Sequence, residues 1–255
     1  MNKIIFNTVE EAILDFKNGK GVIVADDESR ENEGDLLFPA SFVTSDVINF
    51  MAKKCRGLIC LALTEKLAQK VGINPMVEHN TDVKGTNFTQ SVDADPKYGV
   101  TTGISAFDRA KTIKVILDKN SKPEDLRRPG HIFPIIAREG GVLKRTGHTE
   151  AGVDLARLAG LDEASVMCEI MKEDGTMARR DDLVEFAKEH NLKFITVAQL
   201  IEYRLKEERF VKREIKTSLP TLFGEFEIYG YIDELTQKEH VALVKDDGTD
   251  KIPLV

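Results

Sequence analysis

Short apolar runs alternate with helical patterns along roughly the first 205 residues, and this alternation constrains the fold more than any other feature of the sequence. The apolar runs predict buried strands at 21–26, 57–63, 131–137, 166–171 and 193–198. Apolar residues at helical spacing predict helices near 8–18, 45–54, 64–72, 105–115, 149–159, 181–190 and 198–209. The spacing of Thr8 and Glu11 predicts a capping box at the beginning of the first of them. Because strands and helices alternate, we predict an α/β (α+β) fold with a layered, mixed β-sheet flanked by helices.

The character of the chain changes after residue 205. A charge-dense segment at 206–216 is followed by short runs typical of strands. We therefore predict a main domain over 1–205, a charged linker over 206–216 and a short β-rich C-terminal extension over 217–255. About 40 residues are marginal as an independent domain, so the extension is expected to be incomplete. One of its strands is predicted at 240–246.

Composition excludes several classes of function. The 255 residues include 36 basic and 43 acidic side chains, and the formal net charge of −7 argues against a nucleic-acid partner. No run approaches the roughly 18 apolar residues that a membrane helix needs, and no signal peptide is recognisable. Cys60 and Cys168 are expected in the core, whereas Cys55 lies near a glycine turn and could itself face a pocket. With no metal-type cysteine pairing, the sequence predicts a cytoplasmic protein without a membrane partner.

An acidic segment directly follows the first predicted strand. Its acids are Asp26, Asp27, Glu28, Glu31, Glu33 and Asp35, with Arg30 as the one base among them. The carboxyl end of a strand is where α/β folds bind ligands, and clustered carboxylates repel unless a hard cation neutralises them. Gly34 is expected to allow a turn that gathers the acids. The segment therefore predicts a loop for a divalent metal or for acid–base chemistry, the alternative being a solvated acidic turn.

A second polar segment, 145–150, precedes the helix predicted from 149. Thr149 is its expected N-cap, and the first-turn N–H groups together with Arg145 would favour an anion such as phosphate. His148 in the same turn could bind a metal through a neutral imidazole. The alternative is a capped helix with a surface histidine.

Two titratable residues in apolar strands leave alternatives open. Strand alternation allows Glu169 to point to solvent, but a carboxylate in an apolar strand can also mark a pocket rim with a raised pKa. His131 begins a predicted strand, where a lone histidine is more often structural. The long polar segment 78–103, with Lys84, Thr86 and Asn87, is predicted from its composition to be a lid.

Five segments together resemble the 3,4-dihydroxy-2-butanone 4-phosphate synthase family of riboflavin biosynthesis. In chain order they are DDESRENEGD (26–35), GISAFDR (103–109), RPGH (128–131), RTGHTE (145–150) and EDGTMA (173–178). The match runs over about residues 3–205, and the first motif alone is highly specific. The resemblance implies a lyase that converts ribulose 5-phosphate to 3,4-dihydroxy-2-butanone 4-phosphate and formate. It also implies Mg²⁺ or Mn²⁺, two per site, with no organic cofactor and no zinc.

The resemblance further implies roles for individual residues. Metal ligands are expected at Glu31 and His148, and the essential residues at His131 and Glu169. The expected substrate-binding residues are Arg30, Glu31, Asp35, Arg145, Thr146, Gly147, His148, Thr149 and Glu169. Enolisation next to the ketone needs a base, and loss of the C1 hydroxyl needs an acid. We assign enolisation to Glu169 and the acidic loop, with His131 and Asp35 as assisting catalytic residues.

Residues 217–255 are similar to the beginning of GTP cyclohydrolase II, through LPTLFG (219–224) and EHVALV (239–244). Because no cysteine follows Cys168, the zinc site of that family is not expected and its activity is expected to be absent. The synthase family also implies a homodimer with sites near the subunit interface. Two other functions remain open: a different metal-dependent sugar-phosphate aldolase or isomerase, and a non-catalytic phosphosugar-binding regulatory module.

Overall fold

The computed structural model describes residues 6–245, which divide into two compact units with the boundary between Tyr203 and Arg204. The helices are α1 (Val9–Lys17), α2 (Ser45–Phe50), α3 (Glu65–Lys70), α4 (Ala106–Leu117), α5 (His148–Leu158), α6 (Arg180–His190) and α7 (Val197–Glu207). The strands are β1 (Val22–Ala25), β2 (Gly34–Pro39), β3 (Cys60–Leu63), β4 (Val92–Ala94), β5 (Leu126–Ile136), β6 (Ala164–Glu169), β7 (Lys193–Thr196), β8 (Val211–Thr221), β9 (Gly224–Asp233) and β10 (Lys238–Val244). None of the helices in this described part is both long and apolar enough to cross a membrane.

A mixed sheet forms the centre of the first unit. Within the described residues it has seven strands in the order β4-β5-β3-β6-β2-β1-β7. The pairs β1–β7 and β3–β5 are parallel, and the remaining neighbours are antiparallel. One face packs against α1 and α5, and the other packs against α2, α4 and α6. The predicted layered, mixed sheet flanked by helices is therefore confirmed.

Several helices begin at a residue whose side-chain oxygen accepts a hydrogen bond from a backbone N–H of the first turn, which would otherwise lack a partner. In α1, Thr8 Oγ1 accepts the Glu11 N–H at 3.2 Å, and the Glu11 carboxylate accepts the Thr8 N–H at 3.0 Å. This reciprocal capping box is the one predicted from the sequence. Thr44, Thr64 and Ser105 cap α2, α3 and α4 in the same way, each accepting one backbone N–H.

The sequence pattern did not predict strand β2, and it assigned Gly34 to a turn. In the structure Gly34 is the first residue of β2, where a Cβ would collide with the Leu183 side chain. All six residues of β2 are buried between β1 and β6, so the strand lacks the alternation that marks a half-exposed strand. Its place near the middle of the sheet carries Asp35 into the interior.

The second unit contains the antiparallel strands β8, β9 and β10, with β9 in the middle. The segment 206–216, predicted as a linker, includes the end of α7 and the beginning of β8. The last residue of the strand predicted at 240–246 lies outside the described residues. So do residues 246–255 of the predicted extension and residues 1–5 of the predicted main domain.

Leu37 at the centre of β2 tests how much the central strand contributes to stability. Its side chain is fully buried, so Leu37→Ala should lower the free energy of unfolding by about 2–5 kcal/mol through lost burial and the cavity left behind. Leu14→Ala on α1, where the side chain is 58% exposed, should change it by less than about 0.5 kcal/mol. Urea titration followed by circular dichroism measures both. Equal effects would contradict the placement of β2 in the core.

Candidate active site

Most of the predicted site residues line one cavity of about 180 Å³. The lining consists of Arg30, Glu31, Glu33, Asp35, Thr86, Phe88, Ile135, Arg145, His148, Thr149, Met167 and Glu169. They come from β2, β5, β6, the beginning of α5 and the loops around them. The cavity combines two guanidinium groups with several carboxylates and a short apolar floor. A small, strongly polar ligand suits such a lining.

Asp26 organises the acidic loop from a buried position. Its Oδ2 accepts hydrogen bonds from Arg30 Nη1 at 2.8 Å and from the Glu31 N–H at 3.1 Å. Its Oδ1 accepts the Glu33 N–H at 3.0 Å. Asn32 adopts the left-handed region with φ 55°, which reverses the chain between these contacts. Asp26 therefore holds the loop in shape, and Glu31 and Glu33 are the acids of this loop that line the cavity.

Helix α6 fastens the same loop from outside. Arg179, the N-cap of α6, donates from Nη1 to the carbonyl oxygen of Glu31 at 3.1 Å and to that of Asn32. Because this arginine directly follows the motif at 173–178, two segments far apart in the sequence meet at the acidic loop.

His148 lies between two carboxylates. Its Nδ1 is 3.7 Å from Glu31 Oε2 and 3.8 Å from Asp35 Oδ1. Burial opposes the charged imidazole, but Asp35 and Glu31 outweigh it and raise the pKa of His148 to about 9. The contact with His148, helped by the charge of Arg30, lowers the pKa of Glu31 to about 2 despite partial burial. Burial raises the pKa of Asp35, against the attraction of the imidazolium.

The residues present fit a divalent cation. Among the described residues, His148 Nε2 and Asp35 Oδ1 are buried atoms that find no hydrogen-bond partner. Ligand atoms of Asp26, Glu31 and His148 all lie within 4.8 Å of one another. Carboxylate oxygens suit Mg²⁺, and a mixed set of oxygen and imidazole nitrogen is open to Mn²⁺. Because Asp26 already receives three hydrogen bonds, Glu31 and His148 are the side chains best placed to hold such an ion.

The helix behind the second motif begins earlier than predicted. His148 is the first residue of α5 and Gly147 is its N-cap, so the prediction of Thr149 as the N-cap is wrong. The cap position needs a residue without a side chain, because a Cβ at Gly147 would collide with the Arg145 guanidinium. Glycine at the cap therefore lets Arg145 approach the first turn of α5. The free amides of that turn and the guanidinium together suit an anion.

Arg145 is held by three partners. It donates from Nη1 to Glu150 Oε2 at 2.7 Å, from Nε to the Lys84 carbonyl at 3.1 Å and from Nη2 to Thr86 Oγ1 at 2.9 Å. Lys84 Nζ in turn donates to the Arg30 carbonyl at 2.6 Å. The segment predicted as a lid thus contacts both the anion turn and the acidic loop; that it moves stays a prediction.

Glu169 lines the cavity rather than pointing to bulk solvent. It ends β6 and pairs in register with Asp35 of β2. Its Oε2 accepts the N–H of Leu58 at 2.8 Å, and a Cβ at Gly57 would collide with its main chain. Glycine in that segment therefore allows the backbone to approach and orient the Glu169 carboxylate.

Three predicted residues are not among those that line this cavity. Thr146 lines a neighbouring cavity together with Asp27 and Arg180, and Gly147 serves as the cap described above. His131 lies on β5, separated from β6 by β3, so its backbone is roughly 10 Å from that of Glu169 by two strand spacings.

The cysteines are all buried. Cys60 and Cys168 lie in the core as predicted, and Cys55 is packed in the core rather than facing a pocket.

Sequence reasoning did not single out the apolar lining of the cavity, which consists of Phe88, Ile135 and Met167. Glu33 was named only as one acid of the acidic segment, and Thr86 only as part of the predicted lid. Met167 was within reach, because it precedes Glu169 by two positions and residues two apart on a strand share a face. Phe88 and Thr86 carried no periodic signal, since they come from an irregular segment that only the fold brings to the cavity.

The profile of the 3,4-dihydroxy-2-butanone 4-phosphate synthase family matches residues 10–203, and that of GTP cyclohydrolase II matches residues 212–255. The riboflavin biosynthesis protein RibBA of Aquifex aeolicus is 58% identical over 250 residues, covering 98% of this chain and 62% of the relative. RibBA of Synechocystis is 54% identical over 246 residues, which cover 96% of this chain and 44% of that relative. The chain therefore spans less than two thirds of the length of these relatives.

Solved structures of the family share the fold. A two-domain 3,4-dihydroxy-2-butanone 4-phosphate synthase from A. baumannii aligns with a TM-score of 0.83 at 47% identity, over 96% of this chain and 72% of that one. A synthase solved in complex with two magnesium ions aligns with a TM-score of 0.75 at 42% identity, over 79% of this chain and 98% of that one. The chain belongs to the 3,4-dihydroxy-2-butanone 4-phosphate synthase family and continues into a short segment related to GTP cyclohydrolase II.

Proposed function

We propose that the first unit is a lyase of riboflavin biosynthesis that converts ribulose 5-phosphate to 3,4-dihydroxy-2-butanone 4-phosphate and formate. One observation carries this proposal. Arg145 at an anion-binding helix start and the cation-compatible pair Glu31 and His148 line the same cavity as Glu169. A sugar phosphate suits such a site, because its phosphate can bind at the helix start beside Arg145 while its sugar oxygens lie beside a cation held by Glu31 and His148.

The phosphate of the substrate is assigned to the beginning of α5. Amides of the first turn, the positive end of the helix and the Arg145 guanidinium all favour an anion there. Lys84 and Thr86 keep that guanidinium in place from the opposite side. The anchored phosphate would leave the sugar carbons next to the carboxylates.

The carboxylates carry the proton transfers. Glu169, oriented by the Leu58 N–H, is assigned the removal of the proton next to the ketone. Burial favours protonated Asp35, which suits a donor to the departing C1 hydroxyl. A divalent cation held by Glu31 and His148, of which the family resemblance implies two per site, would supply electrostatic stabilisation of the oxygens that become negative. His131 is assigned an assisting proton transfer.

We further propose a cytoplasmic homodimer, in which a second chain completes the site. Ile104, just before α4, and Phe107, in its first turn, are 55% and 75% exposed, and they follow Gly103, which packs against His131. An apolar surface of this kind beside an assigned catalytic residue favours contact with another copy. Sedimentation velocity measures the state, and a monomer at micromolar concentration would contradict this part of the proposal.

The experiment that tests the function follows formate and the four-carbon phosphate by ¹H and ³¹P NMR in a mixture of the chain, ribulose 5-phosphate and Mg²⁺. Formate should appear, stop with EDTA and return when metal is restored. Conversion of the sugar phosphate without formate would indicate an aldolase or isomerase instead. Binding without any conversion would indicate a phosphosugar-binding module.

Glu169→Gln should reduce formate release by at least about 100-fold, because the amide cannot take up the proton. Binding of ribulose 5-phosphate, measured by calorimetry, should stay within about threefold, because the phosphate contacts are untouched. Glu163→Gln, at an exposed position before β6, is the matched control. Lost binding with unchanged turnover of the bound fraction would contradict the assignment.

Glu31→Gln should weaken Mn²⁺ binding, measured by electron paramagnetic resonance of the free ion, by at least about tenfold, since it removes a charged ligand. Glu28→Gln serves as the control, because that side chain is 67% exposed and pairs with Arg180. Equal Mn²⁺ affinity in the two variants would contradict the metal site.

Arg145→Lys keeps the charge but loses the planar fork that reaches Glu150, Thr86 and the anion together. Its KM for ribulose 5-phosphate should rise by about tenfold or more, as expected for a lost charged hydrogen bond. An unchanged KM in steady-state assays of formate release would remove Arg145 from the phosphate site.

A further inference from the structure

His131 leaves the regular hydrogen-bonding pattern of the sheet. The register between β4 and β5 jumps from Val92 opposite Ile132 to Asp93 opposite Arg127. The residues between them on β5, 128–131, therefore form a large bulge. Bulges of this kind re-aim side chains and are common next to active sites.

Asp93 compensates for the interrupted ladder by holding His131 at two points. Its Oδ1 accepts the backbone N–H of His131 at 2.9 Å, and its Oδ2 lies 2.7 Å from the ring Nδ1. Asp93 is buried, while the His131 side chain is 42% exposed. Because an ionised carboxylate only accepts, Nδ1 must carry the proton and Nε2 is the ring nitrogen left for chemistry.

The loop that leads into α4 closes over this pair. Gly103 adopts φ 91°, and a Cβ there would collide with the Asp93 carboxylate and crowd His131 Nδ1. Asp108 holds the loop by accepting from Thr101 Oγ1 at 2.8 Å and from the Gly103 N–H at 3.1 Å. Gly103 therefore lies directly against the hydrogen bond between Asp93 and His131.

The bulge that holds His131 adjoins the face of the sheet to which Glu169 belongs. Phe133, two residues after His131, and Met167, two residues before Glu169, pack in the same cluster beneath α5. The ring of His131 is therefore fixed by a buried carboxylate at the margin of that face.

We propose that Asp93 is a positioning residue for the reaction: it fixes His131 in the tautomer that leaves Nε2 free to transfer a proton. This inference rests on the proposed function. It assigns to Asp93 a role through His131 only, without contact with the substrate. The arrangement is the general one in which a buried carboxylate orients an imidazole.

Asp93→Asn distinguishes a role in orienting the imidazole from a role in packing. The asparagine side chain has nearly the same size as aspartate, but one of its two terminal groups donates hydrogen bonds instead of accepting them. The backbone N–H of His131 can only donate, so the amide oxygen must face it and the NH₂ group must face Nδ1. The ring is then forced into the opposite tautomer, with the proton on Nε2. A role in stability alone would not require this change.

The test combines kinetics with ¹⁵N NMR of the histidine ring in the full chain. In the wild type, Nδ1 of neutral His131 should be protonated; in Asp93→Asn, the proton should move to Nε2. The kcat for formate release should fall between about 10-fold and about 10⁴-fold, the upper bound being the whole acid–base contribution, with KM changed by less than about threefold. Asp95→Asn, in which the lost carboxylate pairs with Arg127 instead, should leave both the tautomer and kcat unchanged.

Three results would overturn the proposal. The first is a wild-type His131 with its proton on Nε2, which needs no variant. The second is a folded Asp93→Asn variant whose kcat for formate release equals that of Asp95→Asn, while the wild type releases formate. In that case the proposed function would stand and only the role of Asp93 would be contradicted. The third is a wild-type chain that releases no formate, which overturns the proposed function as well.

Discussion

The buried charges around His148 are the constraint on which the rest of the site depends. A histidine with only 5% of its side chain exposed lies between the carboxylates of Glu31 and Asp35, and isolated charges at such depth would be very costly. Each member is tolerable only because the others are present, and Arg30 and Asp26 extend the compensation into the acidic loop. The raised pKa of His148 and the lowered pKa of Glu31 express this mutual dependence. A bound divalent cation would itself neutralise part of the negative charge of Glu31 and Asp35, which the imidazolium of His148 balances when no cation is bound.

Helix α5 connects this cluster to the anion site. Its first residue contributes the imidazole, and its free N-terminal amides and the adjacent Arg145 favour phosphate. In the proposed function, this one helix would therefore position both ends of the substrate, and it packs against the central strands that carry Asp35 and Glu169. A substrate anchored in this way meets its catalytic groups with little freedom left to lose.

The sequence predicted those parts of the structure that depend on short stretches of chain. The capping box predicted the beginning of α1, the apolar runs predicted the layered sheet, and the polar segments at strand and helix ends predicted most of the cavity lining. It failed where the decisive cause is tertiary. Strand β2 is buried on both faces and so has no period, Gly147 replaces Thr149 as the cap because of Arg145, and Thr86 and Phe88 reach the cavity only through the fold. The bulge that presents His131 is equally invisible in sequence, because it depends on the partner strand β4.

The central claim is that the carboxylates and the anchored phosphate direct loss of one particular carbon, C4, from the pentulose. Ribulose 5-phosphate labelled with ¹³C at C4 tests this most directly, with the products observed by ¹³C NMR. The account predicts that the label appears in formate and that the four-carbon phosphate is unlabelled. Label retained in the four-carbon product, or label-free formate, would contradict it.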